Sequence, residues 1–295
     1  MQRFLDPAVL AGISSLDLLA KTVVDGFVAG LHRSPDFGFS QEFAEYRAYV
    51  PGDDLRHVDW NLFARTERCY LKRYRGETNS QLVILLDASN SMQYTSGPPK
   101  KMDYARFIAA SLFYLAIRNQ RDAAGLIVFD DEVRDYVRPS TRQGQLARLF
   151  AGLEGAEPRA RTDFGKPLQH FQELLHRRGI AIVISDFYEE PETIVRAIEP
   201  LRFHGNDVVL FHILDPQEIR PVLKGPALLV DLETDKEIEV IPEYAKTAYR
   251  VKIDAHIEQL RSRTQAAGMD YQLLVTDQPL DGALREYLSL RKAGN

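Results

Sequence analysis

Four uninterrupted apolar runs constrain this chain more than any other feature. They are Leu82-Val83-Ile84-Leu85-Leu86, Gly125-Leu126-Ile127-Val128-Phe129, Ile180-Ala181-Ile182-Val183-Ile184 and Val208-Val209-Leu210-Phe211. A strand with one wet face alternates apolar and polar residues, whereas a run that does not alternate needs cover on both faces. Between the runs the periodicity is helical. Met102 to Arg118 places Ala105, Ile108, Ala109, Leu112 and Leu115 on one side; Gln143 to Leu153 and Phe164 to Arg178 behave similarly, and Glu190 to Leu201 is shorter. Strands alternating with helices predict an α/β fold built on a doubly wound, mainly parallel sheet.

The rest of the chain attaches to that core. Ala227 to Leu232 and Lys236 to Ile241 read as a hairpin, within an insertion at about residues 217–242. Tyr244 to Ala267 reads as a long helix, Tyr271 to Val275 as a last strand and Leu280 to Leu290 as a last helix. Upstream, Phe4 to Leu31 reads as two short helices. The expected organisation is an N-terminal extension, residues 1–80, packed on or beside a core domain, residues 81–295 with the insertion.

Composition narrows the function. Lys plus Arg total 37 against 42 Asp plus Glu, a formal net charge of −5, which lacks the bulk positive field of a general nucleic-acid binder. The single cysteine, Cys69, excludes a disulfide framework within the chain and a cysteine-rich zinc module. The N-terminal MQRFLDPAVLAG does not carry the pattern of a signal peptide, and the apolar stretches are strand-sized, far short of a bilayer span. A cytoplasmic protein without a membrane span is expected.

The chemistry sits where the runs end. The first run ends in Asp87-Ala88-Ser89-Asn90-Ser91-Met92 and the third in Ser185-Asp186-Phe187; between them, Arg161-Thr162-Asp163 precedes a helix. In a doubly wound sheet, ligands bind outside the carboxyl ends of the strands, so the three clusters can meet at one edge. Together they offer two carboxylates, Asp87 and Asp186, and three hydroxyls, Ser89, Ser91 and Thr162. A hard cation such as Mg²⁺ takes this oxygen set, and Mn²⁺ or Ca²⁺ would accept it too. Without a cation the two carboxylates would repel and one pKa would rise. Any one cluster is also what a helix N-cap looks like, with Ser91 or Thr162 capping the next helix. Three clusters at the ends of core strands favour the metal reading.

Residues 47–77 interleave charge with aromatics. Bases stacked on aromatics would be one use, but the acids alternate with the basic residues. A structural ion-pair network of Arg47, Asp53, Asp54, Arg56, Asp59 and Arg65, combined with a docking surface, is the favoured reading. Trp60 is expected in the core. Phosphate-loop, dinucleotide, nucleophile-elbow and zinc-protease signatures are absent. A binding module is therefore favoured over an enzyme. The rival is a metal-dependent phosphohydrolase or nuclease using the same ion, with His57 or Asp163 as base.

Asp87-x-Ser89-x-Ser91, with Thr162 and Asp186 later, resembles the metal-ion-dependent adhesion site of von Willebrand factor A domains. A more specific match lies upstream, in Gly30-Leu31-His32-Arg33-Ser34-Pro35, Glu42-Phe43, Arg47 to Arg56, Asp59-Trp60 and Ala64-Arg65. With the Asp-x-Ser-x-Ser-Met loop, this block resembles the bacterial family catalogued as domain of unknown function 58. The resemblance implies a von Willebrand A-like fold and operation beside a MoxR-type AAA+ ATPase. It implies that Ser89, Ser91 and Thr162 ligate Mg²⁺ directly or nearly so, that Asp87 and Asp186 do so directly or through water, and that a partner's acidic residue completes the shell. The chain departs from the commoner pattern twice: Arg161 stands where many such domains have Gly, and Phe187 follows Asp186 where many have Gly.

Overall fold

The computed structural model describes residues 6–31, 43–49, 58, 60–66, 68–74, 81–159, 165, 167, 178–203, 205–230, 232 and 237–293. The chain divides into two compact units, Met1–Phe27 with Ser80–Asn295, and Val28–Asn79. In the smaller unit, β1 (Phe43–Ala48) pairs antiparallel with β2 (Tyr70–Tyr74). Its helix Trp60–Thr66 holds Trp60 edge-on to Phe63, with ring centroids 6.1 Å apart. Trp60 is not in the core, as its sequence context suggested: it is 57% exposed, at the first position of a helix only seven residues long.

The larger unit contains the sheet. Its strands are β3 (Gln81–Asp87), β4 (Ala123–Phe129), β5 (Val133–Ser140), β6 (Ile180–Ser185), β7 (Asp207–Leu214) and β10 (Asp270–Val275), in the order β10-β7-β6-β3-β4-β5. Every neighbouring pair is parallel except β4 with β5. The four apolar runs are the four central strands. β3 is buried along its whole length, as continuous apolar sequence requires. Alternate residues face opposite layers. Val83, Leu85, Ala181, Val183, Val208 and Leu210 pack with Ile194 and Ile198 of the helix Pro191–Ile198 and with Ile253, Ile257 and Leu260 of the helix Arg250–Ala266. The intervening residues face the layer that holds the helix Lys101–Tyr114, which buries Ala105, Ile108, Ala109 and Leu112. This is the doubly wound, mainly parallel α/β arrangement that the runs predict.

The antiparallel edge strand β5 was not foreseen. Val-Arg-Asp-Tyr-Val-Arg-Pro-Ser carries three charges and a proline, and no residue of it is fully buried. Proline is tolerated there because an edge strand leaves one row of N–H groups unused. Pro139 lies so close to β4 that a Cβ on Gly125 would come within 2.6 Å of its ring. The hairpin in the insertion is present as β8 (Ala227–Val230) and β9 (Glu237–Val240), paired antiparallel. The expected helix from Phe164 to Arg178 lies almost wholly outside the described residues. Among the described residues, no helix is long and apolar enough to cross a membrane.

Candidate functional site

The strand order places the site. From β3 the sheet grows through β4 and β5 on one side and through β6, β7 and β10 on the other. Order therefore reverses between β3 and β6, and the crevice beyond their carboxyl ends is where an open α/β sheet binds ligands. Asp87 is the last residue of β3 and Ser185 the last of β6. They meet across that crevice: Ser185 Oγ donates to Asp87 Oδ2 at 2.6 Å. The Phe187 N–H donates to Ser185 Oγ at 3.0 Å, and the Ser89 N–H donates to Asp87 Oδ1 at 2.9 Å. Asp87, Ser89, Ser91, Ser185 and Asp186 are all buried.

The first loop does not serve as a helix cap. Ser89 precedes the short 3-10 turn Asn90–Gln93 but makes no side-chain capping hydrogen bond. The next helix starts at Lys101 with Lys100 as its N-cap. Instead, Ser89 Oγ and Ser91 Oγ lie 2.9 Å from each other. Adjacent ligands of an octahedral Mg²⁺ at its usual oxygen distance stand about 2.9 Å apart, so this pair fits two neighbouring coordination positions. The donor set is hard oxygen throughout. Among the described residues, no group of three or more His, Cys, Asp or Glu is placed to hold a metal ion, so a metal here depends on the hydroxyls.

The electrostatics call for positive charge. Burial, joined by the like charge of Asp186, pushes the Asp87 carboxyl up to about 7, against the opposing hydrogen bonds from Ser185 and Ser89. Asp186 is held by a cation of the chain itself. Lys101 Nζ donates to Asp186 Oδ2 at 2.7 Å and to Glu218 Oε1 at 2.7 Å, with the lysine side chain fully buried. Burial alone would lower the Lys101 pKa, but Asp186 and Glu218 outweigh it and raise it. Glu218 is fixed in turn by a capping box: its Oε2 accepts from the Asp215 N–H at 2.8 Å, while Asp215 Oδ1 accepts from the Gln217 N–H at 2.8 Å. Asp215 also accepts from the Ser96 N–H at 2.8 Å, tying the loop after β7 to the loop after β3.

Of the residues singled out from sequence, Asp87, Ser89, Ser91 and Asp186 come to this one rim. Thr162 lies outside the described residues, as do Asp53, Asp54, Arg56, Asp59, His57 and Asp163. Arg47 is in β1, opposite Leu71, and Arg65 is exposed at the end of the helix Trp60–Thr66. Phe187 explains one departure from the commoner pattern. Its φ is +47°, the left-handed region that favours glycine, and its ring is completely buried. Sequence reasoning missed Lys101, Asp215 and Glu218. Two signals were available: a pair of lysines opening a helix against its dipole, and Asp-Pro-Gln-Glu, the spacing of a capping box, at the end of the fourth run.

Comparison with known proteins gives a family, a full-length relative and similar solved structures. The family model described as protein of unknown function DUF58 matches residues 45–265. An uncharacterized protein of Mycobacterium tuberculosis is 25% identical over 295 residues, covering 98% of this chain and 92% of its own. A crystal structure of an aerotolerance-related membrane protein from Bacteroides fragilis, with multiple mutations to serines, superposes with a TM-score of 0.51 at 15% identity, over 72% of this chain and 99% of that one. A von Willebrand factor type A structure from Catenulispora acidiphila has a TM-score of 0.43 at 15% identity, over 71% of this chain and 41% of that one.

Proposed function

The chain belongs to the DUF58 family, and from that premise we propose that it is a protein-interaction module whose sheet-edge site holds a divalent cation, Mg²⁺ in the first instance, and offers it to an acidic group of a partner. One observation carries this reading. Two buried carboxylates, Asp87 and Asp186, adjoin two hydroxyls spaced for neighbouring coordination positions, at the switch point of the sheet. Ser89, Ser91 and Thr162 would hold the ion, with Asp87 and Asp186 beside it. When bound, the ion supplies the positive charge and the vacant coordination position that let an acidic rim accept an acidic ligand. Ser185 keeps Asp87 aimed across the crevice, and the buried walls keep bulk water from screening the charge.

The partner to test first is a MoxR-type AAA+ ATPase, as the family resemblance implies. Binding of the purified ATPase from the source cell is measured with Mg²⁺ and with chelator, for the wild-type chain and Asp87→Ala. Binding that needs Mg²⁺ and disappears in the variant, with circular dichroism unchanged, is the expected result. Equal binding in chelator would refute the metal bridge. Phosphodiester or phosphomonoester turnover that needs the metal and vanishes in Asp87→Ala would replace the binding module with a hydrolase.

A further inference from the structure

The helix Lys101–Tyr114 opens on two consecutive lysines. The N-terminal end of a helix carries partial positive charge, so a cation there runs against local preference. Lys100 stays exposed, but Lys101 turns inward and is wholly buried. Its ammonium reaches Asp186 and Glu218, each at 2.7 Å, and lies 5.0 Å from the ring centroid of Tyr188 and 5.8 Å from that of Tyr94. A buried lysine is retained only where its charge is matched. Here it is matched twice, by groups from the loops after β6 and β7. Asp186 is also one of the two carboxylates assigned to the cation site.

We propose that Lys101 is a tethered cation that sets the net charge of the sheet-edge site, so that a divalent ion bound there leaves it neutral and still able to receive a carboxylate. This rests on the cation reading of the site given above. Counting only the carboxylates assigned to the ion or bonded to Lys101, and all of them ionised as a bound cation would keep them, Asp87, Asp186 and Glu218 bring three negative charges and Lys101 one positive charge. A divalent ion then brings the cluster to zero. Without Lys101 the same ion leaves it at minus one, which repels an acidic partner. Without the Glu218 charge the empty cluster stands at minus one instead of minus two, so it attracts the ion less. Lys101 is therefore a positioning residue: it holds the Asp186 carboxylate and acts on the ion through the field.

The test is Mn²⁺ binding by calorimetry on the full chain, for wild type, Lys101→Met, Glu218→Gln and the double variant. A charge-setting role moves the single variants in opposite directions. Lys101→Met binds Mn²⁺ about tenfold more tightly or better, Glu218→Gln about tenfold more weakly or worse, and the double variant returns to near wild type. Mn²⁺-loaded Lys101→Met also binds the acidic partner more weakly than loaded wild type does. A merely structural prop would weaken Mn²⁺ binding in both single variants, and that outcome overturns the proposal. If Lys101→Met does not fold alone, Glu218→Gln and the double variant decide it, because the double removes both members of the buried pair together. Wild-type protein that binds no Mn²⁺ refutes the cation reading itself and this inference with it. Wild-type binding that neither Glu218→Gln nor Lys101→Met alters refutes charge-setting alone.

Discussion

Phe187 offers a test in which two substitutions should fall in an order that ordinary backbone does not give. Its ring is fully buried, belongs to the core cluster that also holds Val83, Leu85, Ile194 and Ile198, and meets His212 edge-on with centroids 5.7 Å apart. Truncating such a ring costs about 3–5 kcal/mol. Its backbone is left-handed at φ +47°. That conformation costs an L-residue about 1–2 kcal/mol, which alanine retains and glycine sheds. Glycine has its own disadvantage of about 0.5–1 kcal/mol, because its unfolded chain is freer. Phe187→Ala should therefore lose the full ring term, while Phe187→Gly should lose less, by up to about 1.5 kcal/mol. The assay is urea unfolding followed by circular dichroism in chelator, with m-values checked for constancy. At a residue with negative φ the glycine variant would be the less stable of the two. Finding Phe187→Ala clearly more stable than Phe187→Gly would refute the left-handed turn and the explanation of why glycine is common there.

Two further perturbations probe the scaffold under the site. Ser185→Ala removes a donor to the buried Asp87 and the hydroxyl oxygen that the Phe187 N–H meets. Loss of a hydrogen bond to a carboxylate predicts about 1.5–3 kcal/mol in urea unfolding, and a loss under 1 kcal/mol would contradict that assignment. His212 is buried in β7 with Nδ1 2.7 Å from the Tyr271 hydroxyl; burial, with His256 nearby, lowers its pKa to about 3. The folded state thus refuses a proton that the unfolded state accepts, so this histidine's contribution is complete above its ordinary pKa of 6.5 and fades as pH falls toward 3. Relative to His212→Gln, wild type should lose at most about 1.4 kcal/mol per pH unit across that window. A difference that stays flat with pH would show that the histidine is protonated in the fold.

The core was legible because its signal is simple. A strand covered on both faces must be apolar throughout, and β3, β4, β6 and β7 announce themselves that way. Edge strand β5 has no such obligation, so Arg134, Asp135, Arg138 and Pro139 make it read as loop. The rim was half legible for a related reason. Asp87, Ser89 and Ser91 lie within five residues and form a pattern, whereas Asp186, Lys101 and Glu218 meet only through the sheet, with 85 and 117 residues separating the bonded pairs. Lys101 in particular looks like a solvated helix start until burial is known. Phe187 looked like a departure from pattern, yet its backbone keeps the conformation that glycine elsewhere provides.

The central claim is that the Ser89 and Ser91 hydroxyls hold a divalent ion, and Mn²⁺ binding to Ser89→Ala/Ser91→Ala against wild type tests it most directly. The two hydroxyls lie 2.9 Å apart and the Ser89 side chain also bonds Asp87, so urea unfolding of the double variant accompanies the binding measurement to show that the fold is intact. Calorimetry, with electron paramagnetic resonance of the bound Mn²⁺, is predicted to show one ion per wild-type chain and none in the double variant at unchanged circular dichroism. Undiminished binding in the double variant, or no binding to wild type, would contradict the account.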